Sequence, residues 1–263
     1  MSRFSDLFPA RKPVIGMIHL PPLPDYPGSP GIDHVIDQAV RDLHVLEDAG
    51  IDGVLIENEY DRPHRVSADP ATIAAMTCIT RAVVRQSKET IVGCEILLND
   101  PKASLAVATM SGANFIRTDY YVDAMTRPGY GEFAIDAPGL IAYREALAAT
   151  DVLILADIQV KYATMIEPRP IGDSARIAWE QQADAVVITG STTGDAPILE
   201  DLRDAAAGSP LPVLIGSGLD CGNAADLLGA CDGAIVGTSL MRDRVLNADA
   251  VGELMFALGR SSQ

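Results

Sequence analysis

The sequence predicts a single closed (β/α)8 barrel, a TIM barrel, on three observations. Eight short apolar runs recur along the chain, helical patterns fall between them, and a shared corner motif leads into several of the runs. A chain of 263 residues suits one such barrel, and no linker or shift in composition divides residues 1–263.

The runs cover residues 13–19, 52–58, 91–100, 114–119, 152–161, 184–190, 212–218 and 232–238. They are rich in Val, Ile and Leu, as parallel strands buried on both faces must be. After the first run, Ile32, Val35, Ile36, Ala39, Val40, Leu43 and Leu46 follow the helical period, with Asp37, Arg41, Asp42 and Glu47 between them. Further helical patterns cover 71–87, 101–110, 138–149, 172–182, 197–207, 223–228 and 248–258. AGIDGVLIE, SGANFIR, QADAVVITG and ACDGAIVG share one corner: a small residue ends the helix, then Asp or Asn leads into the strand. An open doubly wound sheet is disfavoured, because no G-x-G-x-x-G follows the first run. Two long connections, 21–32 and 120–137, fall on the face where barrel loops carry function; the second, with Gly129, Gly131 and three tyrosines, is a candidate lid.

Composition narrows the function. A chain that is 48% hydrophobic and 21% charged folds rather than staying disordered. Twenty basic against 36 acidic residues give a net charge of −16, which argues against nucleic acid or an anionic bilayer as partner. A small phosphorylated ligand stays compatible, because backbone amides bind anions locally. The N-terminus lacks an apolar targeting core, and no stretch reaches the ~20 apolar residues of a spanning helix. Cys78, Cys94, Cys221 and Cys231 form no C-x-x-C pair. A soluble cytoplasmic chain is the expectation, with homo-oligomerisation left open. Met17, Met76, Met110, the cysteines and Trp179 read as core packing.

Polar residues at strand ends converge on one barrel mouth, so position along a strand is itself a functional signal. IGSGL and VGTSL, after the seventh and eighth runs, place Gly216, Ser217, Gly218, Gly237, Thr238 and Ser239 where a barrel commonly holds phosphate. TGSTTGD, after the sixth run, adds Thr189 and Ser191 as substrate contacts. His19, stiffened by Pro21 and Pro22, is a candidate acid/base. Glu57, Glu95 and Asp157 are carboxylates inside buried strands, costly unless partnered, and Arg117 and Lys161 are the cations within reach. The catalytic set is therefore His19, Glu57, Asp157 and Lys161, with Asn58, Glu95, Asn99 and Arg117 orienting substrate. Asp119 is a further polar strand end, and His64 lies in the loop after the second run. No compact metal-ligand motif is present, so no cofactor is expected; a divalent ion on Glu57, Asp157 or Asp100 is the alternative.

The words VIGMIHLPPLP, DGVLIEN, AAMT, LLND, ILADIQVK, ADAVVITGSTTG, LEDLR, VLIGSGL and DGAIVGTSL, in that order, resemble the BtpA/SgcQ family over nearly the whole chain. The resemblance implies a barrel related to the ribulose-phosphate-binding barrels. It also implies a role in either sugar or nucleoside processing or photosystem I accumulation. The chain departs from the family pattern at Leu98, Gln159, Tyr162 and Met241, which replace Arg, His, His and Lys. Two function classes follow: an enzyme acting on a phosphorylated sugar or nucleoside-type metabolite, or a non-catalytic barrel serving as an assembly factor or metabolite-binding regulator.

Overall fold

The computed structural model describes residues 2–9, 12–133 and 136–260. Eight parallel strands close into a barrel in sequence order: β1 Val14–His19, β2 Gly53–Glu57, β3 Ile91–Glu95, β4 Phe115–Thr118, β5 Leu153–Asp157, β6 Ala185–Ile188, β7 Val213–Ile215 and β8 Gly233–Val236. Helices cross between successive strands: α2 Ile32–Asp48, α3 Pro70–Gln86, α4 Pro101–Ser111, α5 Ala137–Ala146, α6 Ile171–Glu180, α7 Leu199–Gly208 and α8 Ala224–Gly229. α2 buries Val35, Ala39, Leu43 and Leu46, the inward half of the stripe seen in the sequence.

The corner motif has a definite use. Asp52 accepts a hydrogen bond from the Val14 amide through its carboxylate and donates its own amide to the Val14 carbonyl. Asn114 does the same to Val92, Asp184 to Ile154, and Asp232 to Val213. Each side chain at the start of an even strand thus fixes the preceding odd strand at both backbone groups. This satisfies strand-end amides that the barrel ladder leaves open.

The barrel interior is packed by Ile15, Met17, Leu55, Phe115, Leu155, Val187, Leu214 and Ile235. A short helix, α1 Arg3–Leu7, brings Phe4 and Phe8 to the lower end. The Phe8 ring lies 5.9 Å from that of Phe115 in an edge-on contact. The sequence reading did not anticipate this plug, because two phenylalanines four residues apart give too short a pattern.

Two runs are cut short. The run 91–100 ends as a strand at Glu95 because the Asn58 side chain takes the Leu97 amide at 2.8 Å, turning the chain away from the sheet. The run 152–161 ends at Asp157, with Gln159 in the left-handed region at φ 49°. The connection after β4 is not an open loop. Met125–Arg127 and Gly131–Phe133 pair antiparallel, Thr164–Met165 joins them, and Tyr120 stacks on Phe133 at 4.0 Å.

Some packing expectations fail. Met110 is 62% exposed and Trp179 51% exposed, and Cys78 and Cys221 are exposed as well. Trp179 follows Ala178, the last buried position of α6, so it points about 100° round the helix from the stripe that packs. Among the described residues, no helix is long and apolar enough to cross a membrane.

Candidate functional site

The C-terminal mouth of the barrel opens into a cavity of ≈ 680 Å3, and the strands deliver its charged floor. Glu57 ends β2, Glu95 ends β3, and Arg117 and Asp119 sit two residues apart at the end of β4, so both face inward. Arg117 Nε and Nη2 each reach an oxygen of Asp157 at 2.8 Å, a two-point grip inside a buried layer. Glu95 stands 3.8 Å from Arg117 Nε. One guanidinium therefore faces two buried carboxylates, and Asp157 holds its hydrogen-bonding edge.

The remaining acids show the strain of burial. Desolvation pushes the Glu95 carboxyl well above its ordinary range, with Arg117 opposing and Glu57 adding to the rise. Asp119 is pushed up to about 7, by burial first and the neighbouring Asp157 second. The His19 ring, 3.5 Å from Glu57, is lowered to about 4, chiefly by burial, with Lys161 and Arg117 acting the same way and Glu59 against. Its imidazole is neutral at neutral pH.

Two glycines make room for these groups. A Cβ on Gly216 would lie 3.1 Å from Arg117 Nη2 and 2.5 Å from Val187 Cγ1; one on Gly237 would lie 3.2 Å from His19 Cε1 and 3.0 Å from Met17 Cγ. The corners after β7 and β8 thus border the cavity with bare backbone, and Gly218 and Thr238 complete that rim. Among the described residues, neither the Gly218 nor the Thr238 amide donates to a protein acceptor in a turn, loop or cap.

Of the residues singled out in the sequence, His19, Glu57, Glu95, Arg117, Lys161, Gly216, Ser217, Gly218, Gly237 and Thr238 line this one cavity. The others are placed differently. Asp157 is 1% exposed, lies beneath Arg117 and is not on the cavity wall. Asn58 spends its amide on Asp61 and the Leu97 backbone. Asn99 borders a separate cavity of ≈ 160 Å3 with Asp100, Lys102 and Asp136. Thr189 is not on the cavity wall, and its hydroxyl is buried without a partner. Ser191 donates to the Asp195 carboxylate. Ser239 donates to the Leu219 carbonyl at 2.7 Å. Ser217, although on the wall, gives its proton to the Asp195 carbonyl and accepts from the Gly190 amide, so its hydroxyl cannot donate to a ligand as expected.

Two residues noted in the sequence without a role, Asp119 after β4 and His64 after β2, also line the wall, and sequence reasoning left out Glu59 and Arg62 after β2, Arg127 and Tyr130 from the roofing sheet, and Tyr162 and Thr193 as wall residues. For Glu59 a signal existed, since it continues the two-residue alternation from Glu57, as Asp119 does from Arg117. Of the four positions where the sequence resemblance implies other residues, Leu98 and Tyr162 line the cavity. Gln159 turns away to Ser174 and the Arg169 carbonyl. Among the described residues, no three His, Cys, Asp or Glu side chains are grouped to hold a metal ion.

The fold matches solved TIM-barrel enzymes. Tryptophan synthase from M. tuberculosis superposes with a TM-score of 0.63 at 17% identity, covering 99% of this chain and 100% of that one. Thiamine phosphate pyrophosphorylase from Pyrococcus furiosus gives 0.59 at 15%, over 94% and 95%. In sequence, the chain is 37% identical over 246 residues to an uncharacterized protein of Archaeoglobus fulgidus, covering 94% of this chain and 98% of the relative. It is 36% identical over 244 residues to the photosystem I biogenesis protein BtpA of Synechocystis, covering 91% and 84%. The BtpA family model matches residues 10–253, from the segment before β1 into α9 (Ala248–Ala257). Because that match takes in every barrel strand and both glycine corners, the chain belongs to the BtpA family.

Proposed function

We propose that this barrel is an enzyme acting on a phosphorylated sugar or nucleoside-type metabolite by acid/base chemistry. The phosphate sits against the Gly218 and Thr238 amides, with Gly216 and Gly237 keeping side-chain bulk away from the same rim. Glu57, Glu95 and Asp119 face the reacting part of the metabolite, His19 offers a neutral imidazole beside Glu57, and Lys161 supplies positive charge. Asp157 holds Arg117 in place.

The observation that carries this reading is the convergence of Glu57, Glu95 and Asp119, with Glu59 beside them, on one cavity whose buried guanidinium is already held by Asp157. Packing alone gains nothing from carboxyls kept from water without their own cations. Burial raises the proton affinity of Glu95, and Asp119, pushed up to about 7, can carry a proton near neutral pH.

A thermal-shift comparison of ribose 5-phosphate with ribose tests it. The phosphorylated sugar should raise the melting temperature while ribose does not, and Thr238→Glu, which sets a negative charge at the rim, should abolish the rise. Equal protection by both sugars, or protection that survives Thr238→Glu, contradicts the reading. Asp119→Asn separates an enzyme from a binding protein: an enzyme keeps the thermal shift and loses ~10²- to 10⁴-fold in turnover.

A further inference from the structure

The wall facing the glycine corners across the barrel is built from three separate connections: Arg62 and His64 follow β2, Arg127 comes from the roofing sheet after β4, and Lys161 follows β5. Arg62 is paired with Glu59. Among the described residues, Arg127 and Lys161 take part in no ion pair within 4.0 Å, unlike Arg62, Arg65 and Arg117. The Arg127 guanidinium lies 5.7 Å from the Tyr130 ring and 5.4 Å from the Tyr162 ring, and Nη1 donates to the Tyr120 hydroxyl at 3.3 Å. Stacking between two rings holds the group in one orientation while leaving most of its N–H donors unused.

His64 supplies the independent sign of a ligand. It is 5% exposed, it borders the same cavity, and its Nδ1 is buried with no hydrogen-bond partner. Buried polar atoms are nearly always partnered, so an orphan on a cavity wall marks a place where something else binds. Burial, then Arg62 and Arg127, lower its pKa to about 4, so the ring is a neutral donor there and adds no charge.

We propose that Arg127, Lys161 and His64 form a second anion subsite, and that the metabolite therefore carries two anionic groups on either side of the portion lying over Glu57, Glu95 and Asp119. The chemistry is that of a bisphosphate, or of a phosphate and a carboxylate on one small molecule. The inference deepens the reading of the function given above.

Crystals of the wild-type protein soaked in inorganic phosphate, alongside Arg127→Gln and His64→Gln crystals, test it. Phosphate should occupy the wall in the wild type within hydrogen-bond distance of Arg127 and His64. Each variant should need about tenfold more phosphate for the same occupancy there, with the corner position unaffected. Phosphate at the corners alone overturns the second subsite and leaves the proposed function standing. Phosphate at the wall alone upholds the subsite and overturns the corner reading, and phosphate at neither place overturns both.

Discussion

Arg117 grips Asp157 through two hydrogen bonds of 2.8 Å, and this pair seals Asp157 off beneath the cavity that Glu95 and Asp119 line. Asp157 is satisfied and out of reach, whereas Glu95 and Asp119 share the remaining field of the same guanidinium. Arg117→Met should therefore strand two buried carboxyls. The expected loss is about 3–5 kcal/mol at neutral pH, as for other buried pairs broken from one side. Denaturant unfolding reads it, and a loss under about 1 kcal/mol would show that water reaches Asp157.

Asp119 predicts a dependence of stability on pH. Its folded-state pKa, about 7, lies above its ordinary value of 3.8, so between these values the native protein binds more protons than the unfolded chain. Its stabilising contribution is full below pH 3.8 and is lost as pH rises through about 7. Asp119→Asn should raise stability at pH 8 by on the order of 1–4 kcal/mol while changing little at pH 4. Unfolding curves at the two pH values check this, and equal effects at both contradict it.

His19 and His64 act in the opposite sense. Both are lowered from 6.5 to about 4, so the unfolded chain binds more protons in that window. Stability tied to these rings is present above pH 6.5 and falls away as pH drops through about 4. Imidazole nitrogen shifts followed by NMR should show neutral rings at pH 6 for both. Titration of His19 with an ordinary midpoint would refute its burial beside Glu57.

The strand-start clamps are open to a separate test. Asn114→Ala and Asp232→Ala each remove one acceptor from a strand-end amide, Val92 and Val213 respectively. Each substitution should cost about 1–2 kcal/mol, with the cavity and its ligand binding unchanged. If either variant is as stable as the parent, the shared corner serves the turn alone.

The barrel was legible because its information is local and repeated. Doubly buried strands leave unbroken Val/Ile runs, and the Asp or Asn at each corner recurs at the same place ahead of even strands. Residues at strand ends, such as Glu57, Glu95 and Arg117, were legible for the same reason. The side chains that came from connections were not: Arg127 and Tyr162 meet only because Met125 and Thr126 pair with Met165 and Thr164, a contact between segments some forty residues apart. Nor does a hydroxyl in a glycine-rich turn reveal whether it faces a ligand. Ser217, on the same wall as Thr238, and Ser239, beside Thr238 in the turn, both give their hydroxyl protons to backbone carbonyls of their own protein.

The central claim is tested most directly by following the backbone amide resonances of Gly218 and Thr238 while inorganic phosphate is titrated into the intact protein. The account predicts that these two peaks move downfield together and saturate, as amides do when they donate to an anion. If both stay fixed while phosphate shifts other parts of the molecule, the corners after β7 and β8 do not hold the anion.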